Sequence, residues 1–102
     1  MAVAKTERRA YAVSPNQLFG ICITALAQLR ATIARHDVEQ GLIGAAFGEG
    51  PLAPTSELSV ALHPLGAGQT ALVATWRARK PSADRRLLAV FLEAVDALIG
   101  QE

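Results

Sequence analysis

The sequence predicts an α+β fold: an antiparallel sheet of about five strands with two helices packed on one face, in the order β-α-β-β-β-β-α. Two segments, near either end of the chain, repeat apolar residues at steps of three and four, the spacing of one helix face. Between them lie four segments of strand composition, separated by breaks rich in glycine and proline. With 102 residues, about half of them apolar, the chain reads as a single domain, residues 1–102, that needs neither disulfide nor metal to close its core.

Residues 1–6 show no periodicity and are expected to form a loose arm. From Arg8 to Val13, Tyr11 and Val13 alternate with Ala10 and Ala12, which predicts a short strand. Ser14 then opens a helix that reaches about Arg30. Its hydroxyl suits an N-cap, Pro15 fits the first helical position, and Gln17 completes a capping box. Leu18, Cys22, Ala25, Leu26 and Leu29 form its apolar stripe, which needs a sheet to cover. After Leu29 the pattern is ambiguous: Ile33 continues the helical spacing, yet Ala31 to His36 also reads as a strand. The strand is preferred, because it would pair at once through the turn Asp37 to Gly41 with Leu42 to Phe47, where Ile43, Ala45 and Phe47 share one face.

Gly48 to Ser56, GEGPLAPTS, holds two glycines and two prolines in nine positions and is expected to be the longest loop. Glu57 to His63 is the clearest strand, with Leu58, Val60 and Leu62 inward. Pro64 to Gly68 is expected to turn the chain into a second long strand, Gln69 to Arg79. There Leu72, Ala74 and Trp76 alternate with Val73, Thr75 and Arg77, and alternation alone leaves open which set is buried. Lys80, Pro81 and Ser82 end the sheet. Ser82 or Asp84 is expected to cap a last helix whose stripe is Leu88, Phe91, Leu92, Val95, Leu98 and Ile99, and Gly100 stops it.

A net charge of +1 gives no long-range field for nucleic acid or an anionic membrane, so neither is an expected partner. The uncharged run from Ala10 to Leu29 has the length of a membrane span, but Pro15, Asn16, Gln17, Thr24 and Gln28 interrupt it, as in a water-soluble helix. Ile21 directly before Cys22, with no leader upstream, argues against a lipid-attachment site. One cysteine cannot form an internal disulfide, which fits a reducing compartment, and a cytoplasmic location is expected.

Phe19, Ala25, Leu26 and Leu29, followed by Asp37, Glu39, Gly41, Ile43 and Ala45, form a pattern that resembles small uncharacterised bacterial domains of this element order, several of them lipoproteins. The resemblance spans residues 8–99. It implies a helix-grip or TATA-binding-protein-like sheet with no established activity.

Candidate chemistry is sparse. His36, Asp37 and Glu39 are the densest polar cluster, but their spacing matches no metal pattern, and in a turn such residues satisfy backbone amides. His63 precedes Pro64 at a strand end. Cys22 on the apolar helix face is expected to be a small core residue with an unreactive thiol. Gly66 and Gly68 lead into a strand rather than a helix N-terminus, so they suit a hairpin and not a phosphate loop. Arg77, Arg79, Lys80, Arg85 and Arg86, with Trp76 adjacent, are a candidate anion patch. No catalytic residue, cofactor or metal is predicted.

Two functional readings result. The first is a non-enzymatic binding or assembly module acting through the sheet face away from the helices, with Ser59, Ala61, His63, Val73, Thr75 and Arg77 as the partner face and a homodimer as the simplest partner. The second is a small-ligand protein, or an enzyme, with a cavity between helix and sheet under the Gly48 to Ser56 loop. A buried polar group would favour the second, and none stands out in the apolar stripes.

Overall fold

The computed structural model describes residues 3–48 and 54–100. The elements are β1 (Ala4–Tyr11), α1 (Pro15–Gln28), β2 (Thr32–Asp37), β3 (Leu42–Phe47), β4 (Ser56–Gly66), β5 (Gln69–Ala78) and α2 (Leu87–Ile99), the predicted order. The five strands form one antiparallel sheet in the spatial order β1-β5-β4-β3-β2. β1 and β2 are thus the two edges, and α1 carries the chain from one edge to the other.

The start and stop of α1 are set locally. Ser14 Oγ accepts from the Gln17 amide at 3.3 Å, and Pro15 occupies the first turn. At the other end Arg30 takes a φ of 59°, and the Ala31 amide donates to the Leu26 carbonyl at 3.0 Å. This left-handed cap closes the helix with an arginine where glycine is usual, at a cost of roughly 1 kcal/mol. It resolves the ambiguity after Leu29: the helix cannot continue, and β2 begins at Thr32.

Cross-strand partners show which face is buried. Phe47 opposes Ser56, Ala45 opposes Leu58 and Ile43 opposes Val60, while Leu58, Val60 and Leu62 oppose Trp76, Ala74 and Leu72. All of these are buried, and the apolar ones meet Leu18, Cys22, Ala25 and Leu26 of α1 and Leu88, Phe91, Leu92 and Val95 of α2 in one cluster. Both helices therefore cover the same sheet face. The inward set on β5 is Leu72, Ala74 and Trp76. Leu98 and Ile99 are only partly buried, at the frayed edge of the α2 stripe.

Three expectations need correction. The first strand begins at Ala4, not Arg8, so residues 4–6 of the expected arm pair with Arg77, Trp76 and Thr75. They escape sequence reading because β1 contributes little to the core: Lys5, Glu7 and Arg9 sit on the helix side of the sheet, yet the helices do not reach over this edge and all three stay exposed. β4 continues to Gly66, and the turn shrinks to Ala67 and Gly68 with Gly68 at φ 72°. Pro64 is tolerated there because β4 has outrun β3, whose ladder ends at Leu42 and Ala61, and a register shift after Pro64 absorbs the irregularity.

The last helix starts at Leu87, later than expected, with Arg86 at its N-cap and no side-chain cap. Asp84 caps the preceding turn instead, its carboxylate accepting from the Arg86 amide at 2.9 Å. Buried polar groups lie on the strands, outside the helical stripes. Thr70 and Ser56 are fully buried, and so is Trp76 with its indole N–H. Of the Gly48 to Ser56 loop, residues 49–53 lie outside the described residues.

Candidate functional site

The chain leaves β5 at Ala78 and reaches α2 through a segment fixed by its own hydrogen bonds. The Arg79 and Lys80 amides both donate to the Thr55 carbonyl, at 2.8 and 3.1 Å. The Ala83 amide donates to the Lys80 carbonyl at 3.0 Å, closing a turn with Pro81 in its favoured second position. Between this segment, the end of β5 and Val3 ahead of β1 lies a cleft of about 490 Å³, within the size range of small-molecule sites. Trp76, Ala78 and Ala83 supply apolar wall, and Arg79, Lys80 and Arg85 supply positive charge.

Two side-chain polar atoms, Ser56 Oγ and Trp76 Nε1, are buried without a hydrogen-bond partner among the described residues, and a third, Tyr11 Oη, has only the Asp96 carboxylate beside it. Leaving such a group unpaired costs roughly 1–3 kcal/mol, so each one calls for an explanation. Two of the three sit at the cleft end of the sheet. Trp76 lines the cleft while fully buried, and Ser56 lies directly across the ladder from Ala78, which also lines it. Tyr11 belongs to the opposite end, where burial and then the nearby Asp96 carboxylate push its phenol upward from 10.0.

The predicted anion patch is divided. Arg79, Lys80 and Arg85 border the cleft. Arg77 lies on the outer sheet face, opposite Ala4 and Glu57, and Arg86 sits 3.6 Å from the Asp84 carboxylate. Arg79 is already engaged, its guanidinium donating to Glu57 at 3.0 Å. Lys80 and Arg85 line the cleft with no ion pair among the described residues.

Ser59, Ala61, His63, Val73, Thr75 and Arg77 all lie on the sheet face away from the helices. Ser59 opposes Thr75, Ala61 opposes Val73, and His63 opposes Ala71. Two shallow grooves of about 180 Å³ each meet at Gly44 and Ser59 on this face. The edge strands add charge that the sequence reading did not place there: Arg8 opposes Val73, and Arg35 borders one groove. In the β2 to β3 turn, Asp37 Oδ1 accepts from the Gln40 amide at 3.1 Å, the ordinary turn role. Gly41 is required by close approach, because a Cβ there would lie 2.7 Å from the Leu62 carbonyl oxygen. Cys22 is fully buried, and burial pushes its thiol up to about 12. No described helix is long and apolar enough to cross a membrane.

No protein-family model matches the chain, and no curated protein matches it in sequence. Solved structures do match in shape. The crystal structure of Ara h 8.0201 superposes with a TM-score of 0.70 at 9% identity, covering 100% of both chains. Norcoclaurine synthase from Thalictrum flavum, in complex with dopamine and hydroxybenzaldehyde, gives 0.65 at 10% identity over 100% of this chain and 88% of that one. Zhui aromatase/cyclase from a Streptomyces species gives 0.65 at 12% identity over 99% and 93%. These are helix-grip proteins, so of the two sheets implied by the sequence resemblance the helix-grip form is the one supported. At such identities the shared property is the fold alone.

Proposed function

We propose that this chain is a small-molecule-binding module of helix-grip form, whose ligand occupies the cleft between the end of β5 and the segment leading into α2. The observation that carries this reading is the cleft of about 490 Å³, with Ala78 and Ala83 in its wall and the fully buried Trp76, whose N–H has no partner among the described residues, bordering it from the core side. A protein gains stability by pairing or removing such a group, and retaining it beside a cleft suits a site completed by something bound there. The complex of norcoclaurine synthase with dopamine and hydroxybenzaldehyde lends support, since a protein of the same fold takes small aromatic molecules. No catalytic step is assigned to the cleft.

Trp76 is the single tryptophan of the chain, so its emission reports on the cleft directly. Titration with neutral N-phenylnaphthylamine should quench it saturably, with energy transfer to the probe. Ala83→Phe, which places bulk in the wall, should abolish the effect, with a cooperative melt as the control that the variant is folded. Absence of saturable quenching in the unaltered protein would remove this reading.

A second reading is favoured by the cross-strand pairs Ser59 with Thr75 and Ala61 with Val73, small side chains over two shallow grooves. They make the open sheet face a surface on which a second copy of the chain can pack. Light scattering tests this, because a monomer at high concentration leaves the face without a partner.

A further inference from the structure

Resting on the cleft reading, we propose that the ligand is an organic acid: an apolar, preferably aromatic body against Ala78 and Ala83, with Trp76 behind them, and one anionic oxygen group held by Lys80 and Arg85. The charge inventory carries this. Among the described residues lining the cleft there are three cations and no carboxylate. Glu57 accounts for Arg79, whereas Lys80 and Arg85 make no ion pair among the described residues, which leaves a local excess of positive charge beside an apolar wall. A charge pair formed there is screened less than one on open surface, because the wall displaces water from one side.

The placement of the two cations is also preorganised. Lys80 is held by its amide at the Thr55 carbonyl and by its own carbonyl at the Ala83 amide, at 3.1 and 3.0 Å. Arg85 follows Asp84, whose carbonyl accepts from the Leu87 amide at 3.3 Å and whose carboxylate accepts from the Arg86 amide at 2.9 Å. Binding therefore has to order the two long side chains but not the backbone beneath them, which lowers its entropic cost. A nucleic-acid backbone fits less well. It needs a continuous basic track, and the structure separates Arg77 onto the outer face and holds Arg86 beside Asp84.

The test compares two probes that share an aromatic body and differ in charge: anilinonaphthalene sulfonate and neutral N-phenylnaphthylamine, each titrated against Trp76 emission. The anionic probe should bind about tenfold more tightly, the equivalent of two partly exposed charge contacts, and added salt should erode that advantage. Replacing both cations, Lys80→Ala with Arg85→Ala, should abolish the preference and leave the neutral probe's affinity within about twofold. Both side chains are exposed, so the melting temperature is the control that the variant is folded. Equal affinities in the unaltered protein, or a preference that survives the double variant, would overturn the organic-acid inference and leave the cleft reading standing. If neither probe quenches Trp76, the cleft reading itself fails and the inference with it.

Discussion

The Arg79 guanidinium donates to the Glu57 carboxylate at 3.0 Å, tying the exit of β5 to the start of β4 across their ladder. Both partners are substantially solvent-exposed, so the pair contributes little to stability, roughly 0–1 kcal/mol. Its consequence is electrostatic: it neutralises one of the three cations that line the cleft.

Glu57→Gln should therefore release Arg79 and strengthen binding of the anionic probe about two- to fivefold, with no change for the neutral one and a melting temperature shifted by no more than a few degrees. An unchanged anionic affinity would mean that Arg79 lies too far from the bound acid group to act on it.

At the opposite end of the sheet, the Thr70 hydroxyl donates to the Val13 carbonyl at 2.7 Å. Thr70 is fully buried, and this bond fixes the corner where the chain leaves β1 for α1 to the start of β5. Thr70→Val keeps the shape but leaves the Val13 carbonyl without its partner. A loss of about 1–3 kcal/mol in denaturant unfolding is expected, with cleft binding unaltered.

Cys22 gives a prediction in pH. Burial raises its thiol from 9.0 to about 12, so between those values the unfolded chain loses a proton that the folded chain keeps. The contribution to stability is complete below about 9 and falls as pH rises toward 12. Unfolding free energy measured up this range should decline, and Cys22→Ala should flatten part of the decline. At neutral pH a thiol reagent should label the native protein far more slowly than the denatured one, and labelling as fast as free cysteine would contradict the packing of α1.

How far the sequence speaks depends on whether a residue's role is local. The cap at Ser14, the alternation of Leu58, Val60 and Leu62, and the stripe from Leu88 to Val95 are written in neighbouring residues, and the structure has them as read. β1 is legible only in part, because its pairing with β5 joins residues 59 to 73 positions apart and buries almost nothing. The cleft is a long-range object as well. Val3, Trp76 and Arg85 meet only after the sheet has closed, so the basic residues could be counted in advance but not sorted into those that line the cleft and those that do not. Trp76 could be placed in an alternating strand, but which of its two faces is buried is settled only by its pairing with Leu58. That its N–H has no partner among the described residues was not legible, since nothing in the spacing says what faces it.

The open sheet face yields the last prediction. Ala61 and Val73 oppose one another near its centre, both half-buried, and a second copy packed there would cover roughly 800 Å² per partner in an ordinary specific interface. A charge introduced under that cover should split such a dimer and spare the fold, because an unpaired charge is costly when buried and cheap when exposed. The choice of charge matters. Arg8 stands opposite Val73 and Arg35 borders the adjoining groove, so Val73→Glu or Ala61→Glu could be neutralised in place. Ala61→Arg adds to the existing positive charge instead and is the more disruptive change. We expect Ala61→Arg to lower the mass in solution from dimer to monomer more completely than Ala61→Glu, with melting temperatures of the separated chains alike. If both variants keep the mass of the unaltered protein, the face is not where copies meet, and the helix-side cleft is left as the sole candidate surface.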